Sequence, residues 1–475
     1  MPNNQLTYFP KYFSNKAIGI YFAALASVSL IFFSHILKWY WCLFGMVEVV
    51  AFFYFSNVLT KKWANIRHFT KKLFWSALAL RVAYVIFSYF FYKGMTGIPF
   101  TFGSADEQFY HSMGLYGSDY LWDNNFNFFA LAGTFFEQFG FSDSGYPLYL
   151  TLIYLFTGKS VFFTRIIKAI LNAYTCVVAY RLAKRNFGES TGRMTGIFCM
   201  LLFNCIYYCG THLKEIEMLF LAMLFLERAD KMIRERNFSV TNIILTILYG
   251  IGTFFLRTAL GAVVFLALGA AIVLTSSKII SWGKKILVGL FVILVLAVGF
   301  GDKFINEASE LWNSRQGAQA TSMQWRAERE NGNSFAKYAG AAVFAPMIFT
   351  IPFPTMVETP EQEELKLIHG GNFTKNITSF FTIFALVSLI LSGEWRKHVL
   401  PLAYILGYLA VITLSQFAQS ERFHFPTLPI AMMLAAYGIS IMKNKHKRYY
   451  VIWISVMLIA CIAWSWFKLK GRGMV

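Results

Sequence analysis

Apolar runs of about 16 to 20 residues recur along almost the whole chain, separated by shorter polar segments. A helix of about 20 apolar residues is what a hydrocarbon core of about 30 Å requires. The pattern predicts spanning helices at 18–37, 39–58, 73–92, 161–183, 194–209, 217–227, 240–256, 259–275, 286–300, 377–391, 399–414, 426–442 and 451–467. The segment 217–227 needs neighbouring residues on either side to reach across. Two stretches break the rhythm, 93–160 and 301–376, and only these are long enough to build anything outside the bilayer. The first is polar and aromatic, punctuated by Gly and Pro, which predicts short helices lying at the membrane interface. The second contains an apolar piece, 341–353, that reads as re-entrant. The fold class expected is therefore an all-α polytopic membrane protein of about 11–13 transmembrane helices.

Composition agrees. The 475 residues are 57% hydrophobic and only 14% charged, too few charges to cover a water-soluble globule of this length. A net charge of +19 would suggest nucleic-acid binding in a soluble protein, but here it reports orientation, and no nucleic-acid partner is expected. Short loops rich in Lys and Arg resist translocation. Lys61, Lys62, Arg67, Lys71 and Lys72 form one such loop, followed by Lys184, Arg185 and Arg193, then Arg228, Lys231, Arg234 and Arg236. Lys278, Lys284 and Lys285, then Arg396 and Lys397, then Lys443, Lys445, Lys447 and Arg448 complete the series on one side, read as cytoplasmic. Stretches 93–160 and 301–376 then face outward. Thirteen crossings place the tail with Lys468, Lys470 and Arg472 outside as well, against the same rule. All six cysteines fall in apolar runs, where a thiol behaves as a small hydrophobe, and the N-terminus has no short apolar core of a cleavable signal.

The candidate chemistry gathers on the outward side. The first external loop carries adjacent carboxylates Asp106 and Glu107, followed by Tyr110 and His111. Lys214, Glu215 and Glu217 sit at an outer turn, Arg257 ends a span, and Glu421, Arg422 and His424 precede another. Each alone fits an ordinary wet loop or a satisfied helix end. Together they offer an acid to take a proton from an acceptor hydroxyl and cations to hold a lipid phosphate as it leaves. Glu48 and Arg81 lie inside predicted spans, where a charge is a functional candidate by default, although interhelical pairing suits Arg81.

Four elements resemble the GT-C superfamily of membrane glycosyltransferases, in particular bacterial relatives of protein O-mannosyltransferases and of the lipid A aminoarabinose transferase. They are Arg81 within an apolar helix, the Asp106-Glu107-x-x-Tyr110 element, the order Gly145, Tyr146, Pro147, Gly158, Arg165, Asn172, and the run Arg422 to Pro426. Phe423 stands where the family pattern has tyrosine, and Ser144, Gly145 and Tyr146 precede Pro147 where some relatives carry lysine. The resemblance covers about 73–437. It implies an N-terminal two-helix extension with a basic loop (1–72), a GT-C-like catalytic module (73–442) and a last helix with a basic tail (443–475). It also implies inverting transfer at the outer face of a bacterial inner membrane, from a polyprenyl-phosphate-linked sugar to a glycan, lipid or protein acceptor. Asp106 takes the position of the base, with Glu107 beside it; Arg422, Lys214 and Arg257 face the donor phosphate. Tyr110, His111, Glu215, Glu421 and His424 complete the candidate site, and a divalent cation near the two carboxylates stays open. A polymerase or ligase using pyrophosphate-linked glycans and a lipid or solute transporter are the alternative readings.

Overall fold

The computed structural model describes residues 7–235, 238–274, 321, 324, 325, 327, 328, 332–335, 345–360, 363–414 and 418–475. The span expected at 286–300, the basic residues Arg236, Lys278, Lys284 and Lys285, and most of 301–344 lie outside them. The described residues contain helices and a single isolated antiparallel bridge, Ile36 to Val357, and no strand. Seven of their helical runs are long and apolar enough to cross a membrane.

In chain order the helices are α1 (Lys11–Ile31), α2 (Trp39–Lys62), α3 (Phe69–Thr96), α4 (Ala105–Asp123), α5 (Phe128–Phe139), α6 (Phe141–Thr157), α7 (Val161–Phe187) and α8 (Glu189–Leu201). There follow α9 (Glu215–Glu235), α10 (Val240–Leu256), α11 (Thr258–Leu274), α12 (His369–Leu391), α13 (Val399–Thr413), α14 (Leu428–Ser440) and α15 (Lys447–Lys470). The long apolar runs are α1, α2, α3, α7, α12, Glu421–Ser440 leading into and including α14, and Asn444–Lys470 containing α15. Helices α10, α11 and α13 are apolar but shorter.

The chain packs as two compact units, residues 65–264 and residues 1–64 with 265–475. In the first, α3, α8 and α9 pack on α7, while α6 lies between α4 and α10. Helix α7 has three helices packed on it, and its boundaries are written locally. Ser160 accepts a hydrogen bond from the Phe163 amide at 3.4 Å to start it, and Gly188, at φ +92°, ends it. Its basic end is neutralised, with Arg185 within 2.7 Å of Glu227 and 3.2 Å of Asp230. In the second unit, α1 pairs with α2, and α12 packs against α2, α14 and α15. Contact between α2 and α12 depends on small residues. A methyl at Gly45 would fall 2.1 Å from His369 Nε2, and one at Gly370 would fall 2.6 Å from the Gly45 carbonyl.

Two predicted spans take other forms. The run 194–209 is not continuous: α8 ends at Leu201, Leu202 is extended, and a short helix Phe203–Tyr207 resumes. The run 217–227 is the middle of the 21-residue α9, whose polar ends disguised its length. The stretch 93–160 folds as α4, α5 and α6, joined through the left-handed residues Asn125 and Phe126 and through Gly140 at φ +72°.

Candidate functional site

The candidate residues of unit 65–264 gather where α4, α6, α7 and α9 meet. Helix α3 ends at Gly97 in the left-handed conformation, and the turn 97–104 delivers the chain to α4. The first turn of α4 separates its two carboxylates. Asp106 faces outward and is exposed, whereas Glu107 is 1% exposed. The Glu107 carboxylate accepts from the Thr101 hydroxyl at 2.8 Å and lies 3.5 Å from an Arg165 terminal nitrogen. Arg165, itself fully buried, also donates to the Pro99 carbonyl at 2.5 Å, so it clamps the turn before α4 and the first turn of α4 together. Burial raises the Glu107 acid above the usual glutamate range, opposed by Arg165 and by donors from Thr101 and the His212 amide.

One turn further along α7, the Lys168 ammonium donates to the carbonyls of Thr211 (3.0 Å) and Leu213, on either side of His212, and sits 3.7 Å from Glu217. Arg257 reaches Glu215 at 3.9 Å. Lys214 lies over the ring of Tyr110 at 5.9 Å, Tyr110 meets Tyr146 edge-on at 5.0 Å, and Lys168 lies over Tyr146 at 5.6 Å. Three carboxylates, Glu107, Glu215 and Glu217, are thus interleaved with Arg165, Lys168, Lys214 and Arg257, nearly all of them out of solvent. Beside them the Tyr154 hydroxyl bridges His111 Nδ1 (2.6 Å) and His212 Nε2 (3.0 Å).

Of the sequence-predicted residues, Glu107, Tyr110, His111, Lys214, Glu215 and Arg257 therefore belong to one cluster, with Asp106 on its exposed side. Glu421, Arg422 and His424 belong to the other unit. There His424 Nε2–H donates to the Ala418 carbonyl at 2.7 Å, and the ring lines a pocket with Lys375, Thr378 and Thr427. Glu421 lies within electrostatic reach of Lys375 and Lys468, and Arg422 is half-buried in the adjoining short helix. Among the described residues no group of three His, Cys, Asp or Glu side chains is placed to hold a metal ion.

No family model, curated protein or solved structure matches the chain. The site therefore rests on its own geometry.

Sequence reasoning left Lys168, His212, Tyr154 and Thr101 out of the site, and gave Arg165 only a place in a motif. A signal was present for two of them. Arg165 and Lys168 are three apart on one face of α7, ahead of its apolar middle, where a cation within a candidate span marks a built site. Arg81 is different. Its guanidinium meets Asn172 (2.8 Å), the carbonyls of Ala77, Met200 and Cys199, and the Cys176 sulfur, so its donors are spent on α3, α7 and the broken end of α8.

Proposed function

We propose that the chain is a membrane glycosyltransferase of the GT-C kind. It moves a sugar from a polyprenyl-phosphate donor to an acceptor hydroxyl at the outer face of the membrane, with Asp106 as general base. The observation that carries the reading is the division of labour between two adjacent carboxylates. Glu107 is buried and fully engaged by Thr101 and Arg165, while Asp106, on the same turn, is exposed to whatever approaches α4. A pair of acids in opposed environments is how one site separates a reacting group from a supporting one. An exposed carboxylate on a clamped turn can meet an acceptor hydroxyl, and the neighbouring cations suit a phosphate leaving group. Arg81, a charge deep in a span, has its donors taken by protein acceptors, so it serves interhelical packing.

The test is sugar transfer by purified protein in lipid nanodiscs supplied with polyprenyl-phosphate sugars and a panel of hydroxyl acceptors. Asp106→Asn should lower turnover by at least about a hundredfold, the scale of a lost general base, with the fold unchanged. Undiminished transfer by folded Asp106→Asn would sink the assigned base, and a donor requirement for pyrophosphate would move the protein to the polymerase reading.

A further inference from the structure

The chain His111–Tyr154–His212 has a direction that its surroundings fix. One hydroxyl stands between two imidazole nitrogens, so Tyr154 gives its proton to one ring and receives a proton from the other. His212 is completely buried, and its remaining nitrogen, Nδ1, has no hydrogen-bond partner among the described residues. The charged groups acting on that ring are Lys168 and Arg165 of α7, with His111 of α4 on the far side of Tyr154; Glu107 faces it only through the His212 main-chain amide. A buried N–H left without an acceptor is rarer and costlier than a buried lone pair left without a donor, and Nδ1 is such an orphan. Nδ1 is thus the lone-pair nitrogen of a neutral His212, consistent with burial and both cations holding its pKa well below the usual 6.5. Nε2–H then donates to the Tyr154 oxygen, and the Tyr154 O–H donates to His111 Nδ1.

The consequence falls on His111. With Nδ1 occupied as an acceptor, its proton sits on Nε2, which makes no hydrogen bond among the described residues. The ring is half-exposed and braced by Phe100 at 5.3 Å between centroids. It stands five residues beyond Asp106 on α4, about 7.5 Å along the helix axis. We infer that His111 presents a neutral, pre-set Nε2–H donor to an oxygen of the lipid-phosphate substrate, with Tyr154 and His212 as positioning residues that fix its tautomer. This role rests on the glycosyl-transfer reading for its substrate, but not for its geometry.

The experiment is nitrogen-15 NMR of histidine-labelled protein in nanodiscs at pH 7.5, with His111→Gln used to assign the His111 signals. The expected spectrum has a protonated, pyrrole-type Nε2 and a pyridine-type Nδ1, collapsing to a tautomer mixture in Tyr154→Phe. Farnesyl phosphate should shift the Nε2 signal, farnesol should not, and inorganic phosphate should act only at concentrations at least tenfold higher. A pyridine-type Nε2 in the unmodified protein overturns the inference, as does an unchanged tautomer in folded Tyr154→Phe. If that variant does not fold, the unmodified protein's spectrum decides alone. Equal response to farnesol, or no response to farnesyl phosphate, overturns the lipid-phosphate role; equal response to inorganic phosphate makes the site one for a free anion. None of these signals requires turnover, so a failed transfer assay with the expected spectrum would discard the glycosyltransferase reading and leave the tautomer standing.

Discussion

At the scale of single residues, the decisive contrast is between Asp106 and Glu107, adjacent in sequence and opposite in environment. The sequence showed two acids after a glycine-rich turn, but nothing in their order says which one the helix turns inward. That depends on Arg165, a residue of α7 which the chain reaches 58 positions later. The pair is buried on both sides, so removing one partner strands the other. Arg165→Met should lower unfolding stability by about 3–5 kcal/mol, measured by thermal unfolding in detergent, while the exposed Asp106→Asn should leave the midpoint within about 0.5 kcal/mol of the parent. Equal effects of the two would mean that the Glu107–Arg165 contact does not hold the turn. His212 gives a pH signature. Its pKa in the folded protein is depressed by burial and by Lys168 and Arg165, so its contribution to stability is present above about pH 6.5 and is lost as pH falls towards its native value. Glu107 acts with the opposite sign, because its raised pKa favours the folded state at low pH. The two are separated by difference: His212→Gln should flatten the loss of thermal midpoint between pH 7 and pH 5, by up to about 1.4 kcal/mol per pH unit. A parallel pH curve for the variant would show that His212 does not titrate as its surroundings require.

At the scale of elements, hydrophobic periodicity found where helices are and missed where they break. Nothing in the apolar run 194–209 marks Leu202 as extended, because the cause is distant: Arg81 of α3 takes the carbonyls of Cys199 and Met200 that would otherwise lie deep in a span. Polar helices were hidden for a related reason. Helix α9 carries Glu215 and Glu217 at one end and Arg228, Lys231 and Arg234 at the other, so only its apolar middle resembles a span. Gly145 was legible as part of a motif, and its reason is now physical. A methyl at Gly145 would lie 2.3 Å from the carbonyl oxygen of Phe255, a backbone atom of α10 that has no rotamer to yield. Gly145→Ala should therefore push α6 from α10 and cost about 1–3 kcal/mol, detected as a lower thermal midpoint and faster proteolysis near 140–158. Gly133→Ala is the matched control, since a methyl there meets nothing within 4 Å. If both variants match the parent, the close approach of α6 to α10 is not what positions Tyr146 and Tyr154.

For the whole molecule, the sequence left a conflict over the C-terminus. An odd number of crossings put a basic tail on the outward side, where the distribution of Lys and Arg argued against it. Within the unit formed by 1–64 and 265–475, backbone contacts decide which loops share an end. The Ser334 amide donates to the Gly471 carbonyl at 2.7 Å, His35 Nε2 lies 3.1 Å from the Met474 carbonyl, and the Glu358 amide donates to the His35 carbonyl at 2.9 Å. The tail, the α1–α2 turn and the segment around Glu358 therefore lie at one end of the unit. Lys468 sits there within reach of Glu421, so part of the positive charge that opposes this placement has an acidic counterpart. Loop charge alone could not reveal this, because the compensating carboxylate comes from a different loop. The expectation is concrete. In sealed vesicles a membrane-impermeant thiol reagent should label Glu358→Cys and Val475→Cys from the same side, and Lys445→Cys only from the other. Five of the six native cysteines are buried and Cys42 is partly so, which keeps the background low. Labelling of Glu358→Cys and Val475→Cys from opposite sides would contradict the contacts joining Ser334, His35 and the tail, and would return the charge rule to precedence in this protein.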